Sequence, residues 1–136
     1  MPAFEEKPLI YSCSGCSSAA EAADRTARKV DRLGLADMSC IAGVGGKVGP
    51  LAAKALSGRP MVAVDGCPLA CARACLAGLG LSPDRHLVLS EHGIAKRFHA
   101  SPSPDELVLA EEAVVASILS LQGALSPVER TVPCSI

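Results

Sequence analysis

"RPMVAVDGCPLACARAC", residues 59–75, decides how the chain folds. Its first half holds a continuous apolar run, Met61 to Val64, of the kind expected when both faces of a strand are covered, as they are inside a parallel sheet. Its second half sets Cys67, Cys71 and Cys75 four residues apart, close to one turn of a helix. Pro68 suits the first position of a helix, so the pattern predicts a helix over "PLACARACLAG" with Cys67 as its N-cap.

The same unit recurs on both sides. Toward the N-terminus, "PLIYSCSG" is an apolar run ending in small residues, and "SSAAEAADRTARKVDRLG" follows it. There Ala19, Ala23, Ala27, Val30 and Leu33 share one face at helical spacing. Ser18 and Glu21 have capping-box spacing, and Gly34 suits the stop. "ADMSCIAG" reads as a second strand, and "VGGKVGPLAAKALSG" as a Gly-rich turn into a short helix ended by Gly58. Toward the C-terminus, "RHLVLS" reads as a fourth strand, leading through "EHGIAKRFH" to the long helix of "SPSPDELVLAEEAVVASILSLQG". Ser103 and Glu106 form its capping box, with Pro104 at the first position. Strand and helix alternate four times, which predicts a single three-layer α/β domain. Its sheet is mainly parallel, about four-stranded and flanked by helices, in the Rossmann-like or flavodoxin-like manner. The domain is assigned to residues 1–122, and 123–136 to a loosely attached tail.

Composition narrows the function. Lys and Arg number 13 against 14 Asp and Glu, for a net charge of −1, with no extended basic cluster. That balance argues against a nucleic-acid or anionic-membrane surface. No apolar run approaches a membrane span, and "MPAFEEKPLI" lacks a basic leader, so the expected location is cytoplasmic. Seven cysteines in a reducing compartment, and an odd count, favour metal binding or thiol chemistry over disulfides. Cys134, in the final "CSI", falls one position too late for a prenylation box and reads as incidental.

In an open parallel sheet, sites form beyond the carboxyl ends of the strands. Cys13 ends the first expected strand, Cys40 lies near the end of the second, and Cys67 ends the third. Cys71, one turn into the following helix, leans back toward the same rim because helical side chains tilt toward the N-terminus. Four thiolates meet the tetrahedral, soft-ligand preference of zinc, so zinc is the expected cofactor and a metal ion the expected partner. Helix N-termini and Lys47 would ease the accumulated negative charge. Cys16, a C-x2-C partner of Cys13, is an alternative ligand to Cys40; Cys75 reads as apolar packing. Asp65 either caps the third helix or orients a ligand from behind it. His86, His92 and His99 read as surface or packing residues, with His92 the best placed of the three to reach the rim.

"YSCSG", "CIAGVGG" and "VDGCPLAC", in that order, resemble the DGC domain family, named for the element that stands here as Asp65, Gly66 and Cys67. The likeness runs from about Pro8 to Lys96 and includes "ADRTARKV" and "GIAK". It implies a zinc-binding protein of unsettled role whose four chelating cysteines fall on Cys13, Cys40, Cys67 and Cys71, and it supplies no reaction.

Enzyme readings stand beside it. Cys67 and Arg73 have the C-x5-R spacing of cysteine phosphatases, but the intervening Pro68, Leu69 and Ala70 are poor phosphate-cradling residues. "CSGC", residues 13–16, has thioredoxin-type dithiol spacing. "AGVGGKVGP" fails the P-loop pattern, with Ile41 at the first glycine position and Val48 in place of Ser or Thr. Four cysteines could also hold an iron–sulfur cluster, though ligands drawn from three loops fit a single small ion better. A closed four-thiolate site leaves no position for substrate, which favours a structural, sensing or carrier role over catalysis.

Overall fold

The structure is a computed structural model that describes residues 7–124. Four parallel strands, β1 (Leu9–Ser12), β2 (Asp37–Met38), β3 (Met61–Asp65) and β4 (Arg85–Val88), pair in the order β2-β1-β3-β4. Five helices flank them: α1 (Ser18–Arg32), α2 (Ile41–Gly45), α3 (Gly49–Ala55), α4 (Cys71–Ala77) and α5 (Pro104–Ala124). This is the expected single α/β domain. Every residue of the central strands β1 and β3 is buried, whereas the edge strands are partly exposed. The apolar run at 61–64 therefore marks a strand covered on both faces.

The strand order departs from β1 first toward β2 and later, from β3, toward β4. Right-handed crossovers then place α1 and α4 on opposite faces. α1 packs with α5 on one side and α2 with α4 on the other. The direction reverses between β1 and β3, and there a crevice opens beyond the carboxyl ends of the two strands.

Local chemistry sets the element ends. Ser17, one residue earlier than expected, caps α1 by accepting the Ala20 amide at 3.1 Å. Ser18 is unavailable as the cap because its hydroxyl donates to the Ala95 carbonyl at 3.1 Å and accepts the Arg97 amide at 2.9 Å. α1 stops as read: Gly34 takes φ +80°, its amide reaches the Asp31 carbonyl, and the Leu35 amide reaches that of Val30. This is a Schellman closure. It turns Leu33 outward, 57% exposed, so Leu33 does not join the buried face of Ala19, Ala23, Ala27 and Val30. The capping box of α5 forms reciprocally, with Glu106 N–H to Ser103 Oγ at 3.1 Å and Ser103 N–H to Glu106 Oε1 at 2.9 Å. α5 continues to Ala124; residues 125–136 of the expected tail, Cys134 among them, lie outside the described residues.

Two expectations are corrected. The second strand is only Asp37–Met38, because Cys40 already N-caps α2, a five-residue helix hidden in the Gly-rich stretch. The third expected helix begins at Cys71 rather than Pro68. Residues 67–70 form a turn closed by the Ala70 amide on the Cys67 carbonyl at 3.1 Å, and Ala70 takes a left-handed φ of 53°. Cys67 is thus a turn residue and not the N-cap. Among the described residues, no helix is long and apolar enough to cross a membrane.

Candidate functional site

Beyond the carboxyl end of β1, Cys13 shares a cavity with Cys71 and Cys75. The Cys13 amide extends the sheet ladder to the Val64 carbonyl at 3.0 Å, and the Gly66 amide donates to Cys13 Sγ at 3.2 Å. Gly66 can stand here only without a side chain. A Cβ would lie 2.6 Å from the Ala19 carbonyl carbon and 2.8 Å from the Ala20 nitrogen, both backbone atoms of the first turn of α1. The glycine that serves sulfur is therefore Gly66, whereas Gly43 and Gly45 of the Gly-rich stretch admit the side chains of Leu51 and Cys75.

Burial pushes the Cys13 thiol up to about 11; the Gly66 amide pulls it down, and the negative charges of Asp65, Cys71 and Cys67 push it further up. Cys71 and Cys75 lie on successive turns of α4 and, with Cys13 and with Ile41, Ala42 and Gly45 of α2, line a cavity of about 200 Å³. The Cys75 thiol is also raised, by burial first and then by the charges of Cys71 and Asp65.

Asp65, 1% exposed at the end of β3, accepts the Ala72 amide at 2.7 Å and the Arg73 amide at 3.2 Å. It caps α4 from six residues before the helix begins, which is one of the two roles expected of it and the reason the helix starts late. Its second oxygen also lies 2.7 Å from His86 Nε2 on β4. No sequence signal singled out His86 for this contact, because it depends on β3 and β4 being neighbours with Ala63 opposite His86.

Lys96 was also missed as a site residue. Its Nζ lies 3.4 Å from Cys67 Sγ and 5.4 Å from the Phe98 ring centroid. The segment is fixed on both sides of it. Ser18 Oγ bonds Ala95 and Arg97, the Ser18 amide donates to the Arg97 carbonyl at 2.8 Å, and Glu106 takes the Ala95 amide and both terminal nitrogens of Arg97. Lys47, expected to supply the positive charge, sits in the turn after α2 with a left-handed φ of 58°.

The other candidates lie apart. Cys40 is exposed and lines a groove with Arg28, Asp31 and Lys54, separate from the cavity of Cys13, Cys71 and Cys75. Cys16 is exposed in the turn before α1. His92 ends the 3-10 turn Leu89–His92 and lines a groove against α5 with His86 and Glu112. Among the described residues, no three His, Cys, Asp or Glu side chains stand together as a ready set of metal ligands. In kind, the thiols of Cys13, Cys71 and Cys75, which line one cavity, suit a soft cation, but they are not arranged as a ligand set.

The geometry bears on the enzyme readings as well. In a cysteine phosphatase the amides at the start of the helix cradle phosphate. Here the Ala72 and Arg73 amides already hold the Asp65 carboxylate. In a C-x2-C oxidoreductase the attacking thiol has a depressed pKa. Cys13 is buried and raised instead.

Compared with known proteins, residues 9–114 match the DGC domain. The anaerobic and virulence modulator AnvM of Pseudomonas aeruginosa is 56% identical over 91 residues, which are 67% of this chain and 70% of that protein. No solved structure matches.

Proposed function

From the premise that the chain belongs to the DGC domain family, we propose that it is a cytoplasmic thiolate-site protein that binds one zinc ion at the β1–β3 crevice in a structural or sensing role. The observation that carries this reading is that Cys13 and Cys71 line one cavity, with an amide directed at Cys13 Sγ and, at the turn before α4, an ammonium directed at Cys67 Sγ. Cys13, Cys67 and Cys71 are the common ligands of the proposal. The fourth is Cys40, the ligand expected from the spacing and the resemblance, or Cys75, which lines the same cavity as Cys13 and Cys71.

Zinc would supply cross-linking between the ends of β1, β3 and α4, and in a four-thiolate site no open position for substrate. The chain's own residues prepare for it. Gly66 donates to Cys13, Asp65 fixes the first turn of α4 that carries Cys71, and Lys96 faces Cys67. A relative named as a modulator supports a regulatory use over a catalytic one.

The test is metal content with thiol counting on protein purified under reducing conditions without added metal. About one zinc per chain and four thiols unmasked by a chelator are expected. Cys40→Ser and Cys75→Ser then decide the fourth ligand, because only the true ligand's loss reduces the unmasked count. All thiols reactive without chelator would overturn the reading.

A further inference from the structure

The outer face of α5 breaks the pattern of the surface. Among the described residues eight large apolar side chains are exposed, and three of them, Val108, Leu109 and Leu119, stand on this one helix. Single apolar residues are normal on a surface, whereas a contiguous group marks a contact. The inward face of α5 is already used, with Ala110, Val114, Ile118 and Leu121 buried in the core. A helix apolar on both faces is of the kind that lies buried, yet α5 is covered on one side only.

The exposed residues are ordered. Val108, Glu112, Val115 and Leu119 follow one another by steps of four, three and four, the spacing of a seam between two packed helices. With Glu111 and Ala116 they line an open groove along α5. Ala116 is small and exposed, so a second helix can approach closely there. The charges give the direction. In a parallel, in-register pair of two copies Glu112 would face Glu112, which is repulsive. In an antiparallel pair about Ala116, position 112 of one copy meets position 120 of the other, because 116 lies midway between them. At Ser120 stands Arg85 of β4, with Nε 3.0 Å from the Ser120 hydroxyl and Nη2 3.4 Å from its carbonyl oxygen. A carboxylate thus meets a guanidinium on each side of a two-fold axis.

We infer that the chain forms a two-fold homodimer by antiparallel packing of α5 on α5, with Glu112 of each copy paired to Arg85 of the other. The contact is isologous, so one patch supplies both halves. Glu112 in an otherwise apolar seam specifies register and direction at a cost in stability, as a single polar residue does in a coiled coil. The cavity of Cys13, Cys71 and Cys75 lies against α2 and α4, on the other side of the sheet from α5, so the dimer stands or falls independently of the zinc reading.

The experiment is sedimentation velocity of the full chain over a range of concentrations, under reducing conditions that exclude intermolecular disulfides. The parent is expected to sediment as a dimer that dissociates on dilution, and Leu119→Lys as a monomer. Glu112→Arg and Arg85→Glu should each weaken the dimer at least ~10-fold, and the two together should return it close to the parent. Simple loss of the Arg85 contacts to Ser120 would not produce that rescue. Far-ultraviolet circular dichroism confirms that each variant is folded. A parent that stays monomeric at every concentration up to about 1 mM overturns the inference, and the face then belongs to another protein or to residues 125–136. A dimer that survives Leu119→Lys, or that the single charge reversals weaken without rescue by the double, overturns it as well.

Discussion

Cys13 and Gly66 show how much of the site is decided by single residues. The Cys13 thiol, raised to about 11 by burial and by neighbouring negative charge, is protonated at neutral pH. Binding a metal through it must release that proton, so this thiol makes affinity rise with pH by up to about ten-fold per unit below its pKa. Zinc competition across a neutral pH range should give a steeper dependence for the parent than for Cys13→Ser, by one proton. Equal slopes would remove Cys13 from the ligand set. Gly66→Ala tests the neighbouring contact. With backbone of α1 at 2.6 and 2.8 Å from the new Cβ, neither partner can move aside as a side-chain tip would. The cost should be about 3 kcal/mol in urea unfolding of the reduced protein, at the upper end of ordinary overpacking. Val64→Ile, two residues earlier on the buried strand β3, is the comparison that separates this collision from general crowding.

The elements around the site are joined by charged groups that the sequence offered only as separate signals. Ser103 and Glu106 were legible as a capping box because their partners are three residues apart. Sequence spacing held nothing about Glu106 also receiving Ala95 and Arg97, because that contact depends on where the loop after β4 crosses. Arg97 and the amides of Ser103 and Ala95 hold the Glu106 carboxyl down to about 2 from an ordinary value of 4.5. A carboxyl whose pKa is depressed by folding contributes stability that is complete above its unfolded value and is lost as pH falls toward the folded one. Thermal melts of the parent and of Glu106→Gln should therefore differ most above about pH 4.5 and converge as pH falls to about 2. A gap that stays constant across that range would show that the carboxylate charge contributes nothing. The elements that sequence reasoning misplaced share one cause: α2 and the late start of α4 are governed by tertiary partners. Asp65 caps α4 across a turn, and α2 fits against Cys75 through Gly45.

For the whole molecule, the β2-β1-β3-β4 order sets β1 beside β3 and so brings Cys13 to the cavity that Cys71, 58 positions later, also lines. The alternation of strands and helices was readable from period alone, and so was the placing of Cys13 and Cys67 just beyond the carboxyl ends of β1 and β3. The separation of Cys40 into another groove was not, because it depends on how the residues after a two-residue edge strand turn into α2. A metal held by these thiols would tie the end of β1 to the end of β3 and to α4, and so bind the folded state far better than the unfolded chain. Free zinc at 100 times its dissociation constant should then raise unfolding free energy by about 2.7 kcal/mol, and a chelator should remove that increment. Cys67→Ser should abolish the zinc-dependent part of the melting shift while leaving a folded protein in the absence of metal, because Cys67 lies in an only partly buried turn and its loss opens no core cavity. If Cys67→Ser instead keeps the full zinc shift, the stabilising ion sits elsewhere.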